Sequence, residues 1–309
     1  MFRGMKGWAV AVWLLGWLAS GQAQALEGPA FLGERLHYRL AYRGVLSPLG
    51  WTEVGDVVLR TAPRALPLGG REAYESSLFA TTEHHAWVES LYPFRYRLRT
   101  LFALSPDGSL AFERFKQDRR LKHELVWVDR QKGRIQRYSL ESGGEGPAPA
   151  RVPEPLAAWA RPGERYRLDS ARPLAAAEQA EGALDRLGLL QVLRQRLPAE
   201  GERLSLPVTD GRKRFLYRIR NQGRERLEAA GREWPTWRLR VEKVRLLEGG
   251  AERPDGEPAT LWVGTGPRHV PVRLEEQIAL GRVTMELVAA GTPPRLSAPR
   301  QPSLLDWDG

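Results

Sequence analysis

The sequence has 309 residues, with 47 lysines and arginines, 37 aspartates and glutamates, and no cysteine. A chain without cysteine has no disulfide, no thiol nucleophile and no thiolate metal ligand, so its stability must come from an apolar core. The net charge of +10 would suit nucleic acid, but the basic residues are scattered along the chain, which favours an arginine-rich solvated surface and predicts no nucleic-acid partner.

The first 25 residues are organised like an export signal. Arg3 and Lys6 form a positive start, residues 8–19 are apolar, and Ala23 to Ala25 supply a small-residue cleavage site. We therefore expect cleavage before Leu26, general export to the periplasm, and a mature net charge of about +8. An uncleaved anchor is the alternative. No later stretch is apolar enough for a transmembrane helix, and the anionic partners open to an exported chain are envelope polymers and lipid head groups.

Residues 26–290 predict a single β-rich domain, because apolar and polar side chains alternate with the period of a strand. The first run, at residues 34–42, sets leucines and tyrosines against arginines, and residues 93–102 repeat this pattern. We count roughly a dozen such runs separated by turn signals, with no regular crossover helix between them.

The adjacent histidines His84 and His85 lie among strand-like residues. Neighbouring side chains on a strand point to opposite faces, so this pair is not expected to share a metal ion. The further ligands of a zinc site are also missing. His123 begins a stretch that lacks the second histidine of a zinc-protease motif. The sequence thus predicts no catalytic motif, no metal and no cofactor.

Residues 141–183 depart from the strand pattern and are rich in glycine, proline and alanine, which predicts a loop-rich insert. One short helix is predicted near residues 185–197. Asp185 can cap its start, leucines recur at helical spacing, and Arg194 and Arg196 fall in its last turn before Pro198.

The C-terminal half returns to alternation, and the phase changes after Gly281 as expected for a hairpin or a bulge. Residues 291–309 contain four prolines and predict a disordered tail. The predicted fold class is therefore mainly β, a large curved antiparallel sheet or open barrel or sandwich with one short helix.

Large apolar side chains on one face of these strands are the candidates for lining a ligand site. They are Tyr38, Tyr42, Phe94, Tyr96, Phe215, Tyr217, Trp237 and Leu239. The competing interpretation is an ordinary aromatic sheet core, since aromatic residues pack well in sheets. One short helix cannot cover so many strands, so the sheet either fills itself with side chains or leaves an apolar cavity.

The order of segments resembles an exported bacterial family, domain-of-unknown-function family 3108. The resemblance rests on "GERLHYRLAYRG" from Gly33, the central hairpin "YPFRYRLRTLFALSPDGSLAFERF", the helix with Asp185 and Leu190, the turn at Val208 to Gly211, and the closing strands from Leu261. It spans residues 32–290. It implies an antiparallel, β-rich fold and brings no established activity and no catalytic residues.

Two classes of function remain open. The absence of a catalytic motif favours a non-enzymatic envelope module for binding or scaffolding, with an apolar or lipid-like ligand as one option. The alternative is a hydrolase or modifying enzyme of an envelope polymer, in which folding brings carboxylates together with His37 or His123. A cleft with converging carboxylates and a buried histidine would favour the enzyme.

Overall fold

The computed structural model describes residues 29–45, 47–68, 71–103, 108–141 and 150–291. The predicted export signal with its cleavage site and the tail from residue 292 lie outside these ranges. Within them the chain forms sixteen strands and four short α-helices, where about a dozen strands and one helix were expected.

The strands are β1 Arg35–Gly44, β2 Ser47–Thr61, β3 Leu66–Leu68, β4 Arg71–Thr81, β5 Arg95–Ala103, β6 Gly108–Gln117, β7 Leu121–Asp129, β8 Arg134–Leu140, β9 Tyr166–Pro173, β10 Arg203–Thr209, β11 Arg214–Ala229, β12 Arg232–Leu246, β13 Glu252–Pro254, β14 Ala259–Gly264, β15 Pro271–Ile278 and β16 Gly281–Ala290. The helices are α1 Ala86–Leu91, α2 Glu154–Ala157, α3 Ala176–Ala180 and α4 Arg186–Gln195. A 3-10 turn covers Glu248–Gly250.

All strands belong to one antiparallel sheet in the order β10-β11-β12-β14-β15-β16-β1-β2-β4-β5-β6-β7-β8-β9, with β13 beside β12 and β3 beside β4. The two edge strands, β10 and β9, are not paired with each other, so the sheet does not close. It curls far enough to bring these edges together, since Arg172 Nη2 of β9 donates to Thr209 Oγ1 of β10 over 2.9 Å. The predicted fold class is confirmed.

Helix α4 lies inside the curl and packs against β4, β5, β6 and β10. Its leucines pack into two clusters with the inner faces of the strands. Asp185 caps the helix by accepting from the amides of Leu187 and Gly188, each over 3.0 Å. Ser109 of β6 donates to the same carboxylate over 2.7 Å, which anchors the start of the helix to the sheet. The interior is therefore filled by this helix.

The other end of α4 is held by Arg194, which is 1% exposed. Its guanidinium forms an ion pair with Glu34 and donates to the carbonyls of Arg268 and His269 over 2.8–3.2 Å. Its charged group also lies 4.3 Å from the centre of the Phe31 ring. This one side chain joins the helix to the start of β1 and to the loop before β15.

The described part of the predicted insert, residues 150–183, is structured. It supplies α2, the edge strand β9 and α3. Leu156, Trp159 and Tyr166 are at most 5% exposed and pack with Leu125 and Tyr138 on the outer face of the sheet. The insert therefore forms a second apolar layer over strands β5 to β8.

Candidate functional site

The prediction that His84 and His85 lie on a strand is wrong. They lie in a turn and at the N-cap of α1, where both rings face Asp56: His84 Nδ1 is 3.2 Å and His85 Nε2 is 3.4 Å from Asp56 Oδ2. The sequence around them favours a strand, but the hydroxyl of Thr82 fixes a turn instead. It accepts from the amide of Phe94 over 3.0 Å and donates to the Glu89 carboxylate over 2.5 Å. These tertiary bonds override local propensity.

This arrangement bears on metal binding, because two histidines and a carboxylate now lie together. In the described ranges no group of three or more His, Cys, Asp or Glu side chains has the geometry to hold a metal ion. A metal that binds only the folded state raises the melting temperature. We expect EDTA to leave the melting temperature unchanged in a thermal scan. A fall of several degrees that zinc or calcium restores would contradict this expectation.

A buried histidine and a carboxylate meet on the outer face of the sheet. Glu113 and His123 are 0% and 1% exposed, and His123 Nε2 is 2.8 Å from Glu113 Oε1. The other ring nitrogen is 2.6 Å from the hydroxyl of Tyr166. Both ring nitrogens of His123 thus have hydrogen-bond partners within the protein. Tyr166 belongs to the insert that covers Glu113 and His123. This network has the composition expected of an acid–base site, but its histidine and its carboxylate are both buried.

Glu113 is also paired with Arg97, over 2.6 Å, and with Arg99. Burial alone would raise the pKa of its carboxyl. The hydrogen bond from His123 and the charges of the two arginines outweigh burial and lower this pKa from 4.5 to about 2. Glu113 is therefore an ionised carboxylate held between cations.

A concentration of basic side chains lies in a cleft between the inner faces of β5 to β8 and the β10–β11 turn. This cleft has a volume of about 440 Å³. We call it the basic cleft and define it by Arg114, Lys116, Lys122, Arg137, Arg212 and Lys213. A second cleft of about 940 Å³ shares Arg212 and Lys213 and adds Arg172, Arg214 and Arg245. The two form a continuous cationic surface around the turn.

The acidic residues of the basic cleft are already engaged. Glu124 is paired with both Arg114 and Arg137. Asp210 accepts from the backbone amides of residues 212 and 213, over 3.0 and 2.6 Å, and so shapes the turn. Within the part of the chain that the structure describes, Lys122, Arg212 and Lys213 form no salt bridge and are exposed. These cations are available to an anionic ligand.

Arg186, the first residue of α4, points into the narrow inner end of the cleft. There it lies near Tyr96 and Tyr217, and burial raises the pKa of both phenols. As a whole residue Arg186 is exposed, and it forms no salt bridge in the described ranges. The crevice at this point holds about 30 Å³, room for about one water molecule. The site therefore offers a polar mouth above a filled apolar interior.

The eight predicted lining residues are divided by the fold. Tyr96 and Phe215 line the crevice, and Tyr217 lies beside Arg186. The other five lie elsewhere. Tyr38 and Leu239 are buried in the two core clusters, Phe94 stacks between two tyrosines, the hydroxyl of Tyr42 donates to Leu280 O over 2.7 Å, and Trp237 lies beneath Arg224.

The cationic residues of the cleft were missed because they come from three separate strands, β6, β7 and β8, and one turn. Arg114 and Arg212 are about a hundred residues apart in the chain, and only sheet curling brings them together. The one local signal was the run Arg212, Lys213 and Arg214 after a predicted turn.

Residues 166–288 match the family model described as protein of unknown function (DUF3108), which confirms the predicted resemblance over that part of the chain. The match begins at β9, within the predicted insert. No curated protein matches the sequence.

Among solved structures, one similar chain is a β-barrel-like protein of the domain of unknown function DUF1849 from Brucella abortus. It is 9% identical with a TM-score of 0.49, over 85% of this chain and 98% of that one. A second is a "putative lipoprotein" from Parabacteroides distasonis, 8% identical with a TM-score of 0.31, over 85% and 97% of the two chains. Of the helices in the described ranges, none has the length and apolarity needed to cross a bilayer.

Proposed function

We propose that this protein is a non-enzymatic binding module of the bacterial cell envelope, exported to the periplasm, that takes an anionic ligand in the basic cleft. The observation that carries the proposal is the convergence of six basic side chains on one cleft. Arg114 and Arg137 are held by Glu124, and Lys116 by Asp118. The three exposed cations Lys122, Arg212 and Lys213 form no salt bridge in the described ranges. Cations in a concave surface focus the local field and raise the concentration of anions there.

The filled interior bears on the kind of ligand. An acyl chain would need space beside α4, and the apolar crevice at Arg186 holds only about 30 Å³. A lipid-like ligand would therefore be bound through its head group at the cleft rather than by an enclosed chain. The enzyme alternative receives less support, because the buried pair Glu113 and His123 lies on the outer face, away from the cleft.

A soluble polyanion tests this proposal. Fluorescein-labelled dextran sulfate should bind the wild-type protein in an anisotropy titration, and unlabelled neutral dextran should not compete. Removing two exposed cations with Arg212→Ser and Lys213→Ser should weaken the affinity about tenfold, or about 1.4 kcal/mol. Added salt should weaken binding further, since exposed charges are screened.

The matched control is the pair Arg203→Ser and Arg220→Ser. These two exposed arginines face each other at the other end of strands β10 and β11, so the control removes the same charge outside the cleft. Its affinity should stay within about twofold of wild type. Equal weakening in both double variants would mean that net charge alone attracts the polymer, and the cleft would lose its role.

A further inference from the structure

Exposed apolar side chains are concentrated at one end of the sheet. In the described ranges nine large apolar side chains are exposed, and seven of them belong to two hairpin tips and α1. These seven, which we call the apolar end, are Val45, Trp51, Trp87, Leu91, Tyr92, Ile278 and Leu280, and their exposed fractions run from 41% to 74%.

The strand register shows that these seven lie at the same end. One row of paired residues crosses six strands: Arg273, Glu286, Arg39, Asp56, Thr81 and Arg95. The β1–β2 and β15–β16 hairpins extend beyond this row, and α1 begins just after it. The two tips are joined, because the amide of Val45 donates to Leu280 O over 3.2 Å.

An aromatic ladder leads from the apolar end into the basic cleft. The rings of Tyr92 and Phe94 stack with centroids 6.2 Å apart, and those of Phe94 and Tyr96 with centroids 5.9 Å apart. Lys116 of the cleft places its Nζ 5.9 Å from the centre of the Phe94 ring. Apolar tips, aromatic rings and cations therefore follow one another over a continuous surface.

The basic cleft that adjoins this end favours an anionic partner. Glu53 is paired with Arg39 over 2.9 Å, Glu89 with Arg95 over 2.9 Å. Arg43 at the β1–β2 tip and Glu276 on β15 are both exposed and form no salt bridge in the described ranges, so these two charges balance at the tips. The excess of unpaired cations lies in the adjoining basic cleft, as at Lys122. Tryptophan, tyrosine and arginine next to apolar side chains are the composition that enters the head-group layer of a bilayer.

We propose that the apolar end docks onto the surface of a bilayer containing anionic phospholipid, with the hairpin tips and α1 in the head-group layer and the basic cleft facing lipid phosphates. The contribution of the cleft rests on the proposed function, whereas that of the apolar end does not. The docking is peripheral and adds an interaction surface to the ligand site.

Co-sedimentation with vesicles tests the docking. Wild-type protein should sediment with phosphatidylcholine vesicles that contain phosphatidylglycerol and at least tenfold less with pure phosphatidylcholine. The double variant Trp87→Ser and Leu91→Ser should partition at least tenfold more weakly into the anionic vesicles. Leu66→Ser is the matched control, because Leu66 is 45% exposed at the opposite end of the strands. Its partitioning should change less than twofold.

Three results would overturn the docking proposal. The first is that the wild type does not sediment with anionic vesicles. The second is that the double variant and L66S lose partitioning equally. The third is a wild-type dimer in light scattering that the double variant converts to a monomer. The last result would identify the apolar end as an interface between two copies. Dextran sulfate binding should be unchanged in the double variant. The dextran sulfate titration therefore tests the basic cleft, and the vesicle assay tests the docking, independently of each other.

Discussion

Replacing Glu113 by glutamine should destabilise the folded protein by about 3–5 kcal/mol, because it leaves Arg97 and Arg99, whose side chains are only 24% and 18% exposed, beside a neutral partner. Glutamine keeps the volume of the side chain, so the loss reports the charge rather than a cavity. In a chain of this size the change should lower the melting temperature by roughly 10 °C. Thermal and urea unfolding followed by circular dichroism would measure both quantities.

The matched control for this variant is Glu53→Gln. Glu53 forms an ion pair of similar length with Arg39, at 2.9 Å, but about half of each side chain is exposed. Exposed pairs contribute no more than about 1 kcal/mol. If the two variants lose equal stability, Glu113 and its two arginines do not act as a buried charge cluster.

Glu113 also predicts a dependence of stability on acid. The pKa of its carboxyl is about 2 in the folded protein against 4.5 when unperturbed. The ionised carboxylate therefore stabilises the folded state above pH 4.5, and this stabilisation is lost as the pH falls from 4.5 towards 2. The contribution is about 3 kcal/mol. It should be missing from the pH profile of E113Q.

Replacing Arg194 by methionine should cost about 3 kcal/mol or more. The variant leaves the Glu34 carboxylate, which is 7% exposed, without its closest cation, and it removes the donors to two loop carbonyls. Arg196→Met is the control on the same helix. Arg196 is 44% exposed in its ion pair with Glu181, which is 4.0 Å away, and its loss should cost less than about 1 kcal/mol.

A double-mutant cycle separates the ion pair from general loss of packing. Glu34→Gln combined with Arg194→Met removes both charges, so the double variant should be at least about 1 kcal/mol more stable than the sum of the single losses predicts. Additive losses would show that Arg194 acts through the loop carbonyls and Phe31 alone.

The strands could be predicted because a half-buried sheet imposes a period of two on the sequence, as at Leu36, Tyr38 and Leu40. The position of α4 could also be predicted, since Asp185 and the leucines act within one helix. The turn at His84 could not, because its cause is a set of bonds from Thr82 to Phe94 and Glu89 that competes with strand propensity.

The site was less predictable than the fold. Aromatic residues on the inner faces were predicted to line a ligand site, but α4 fills the space that most of them surround. Whether a curled sheet is filled or open depends on how the side-chain volumes pack. The role of Arg194 depends on Glu34, which lies 160 residues earlier in the chain. Contacts at that separation leave no periodic trace in one sequence.

The pairing of β1 with β16 places the first and last strands side by side within the sheet. Forming this pair closes a loop of about 250 residues, so folding is expected to be slow, and β1 keeps one unpaired edge until β16 has joined it. An unpaired edge is a template for intermolecular pairing during that interval.

The pairing of β1 with β16 also brings the ends of the domain together, since the amide of Gly291 donates to Arg35 O over 2.9 Å. A short linker can therefore join these ends. A circular permutant opened at the β11–β12 turn, after Ala230, would keep every strand pair. In it β16 and β1 would follow each other in the chain and pair as a local hairpin.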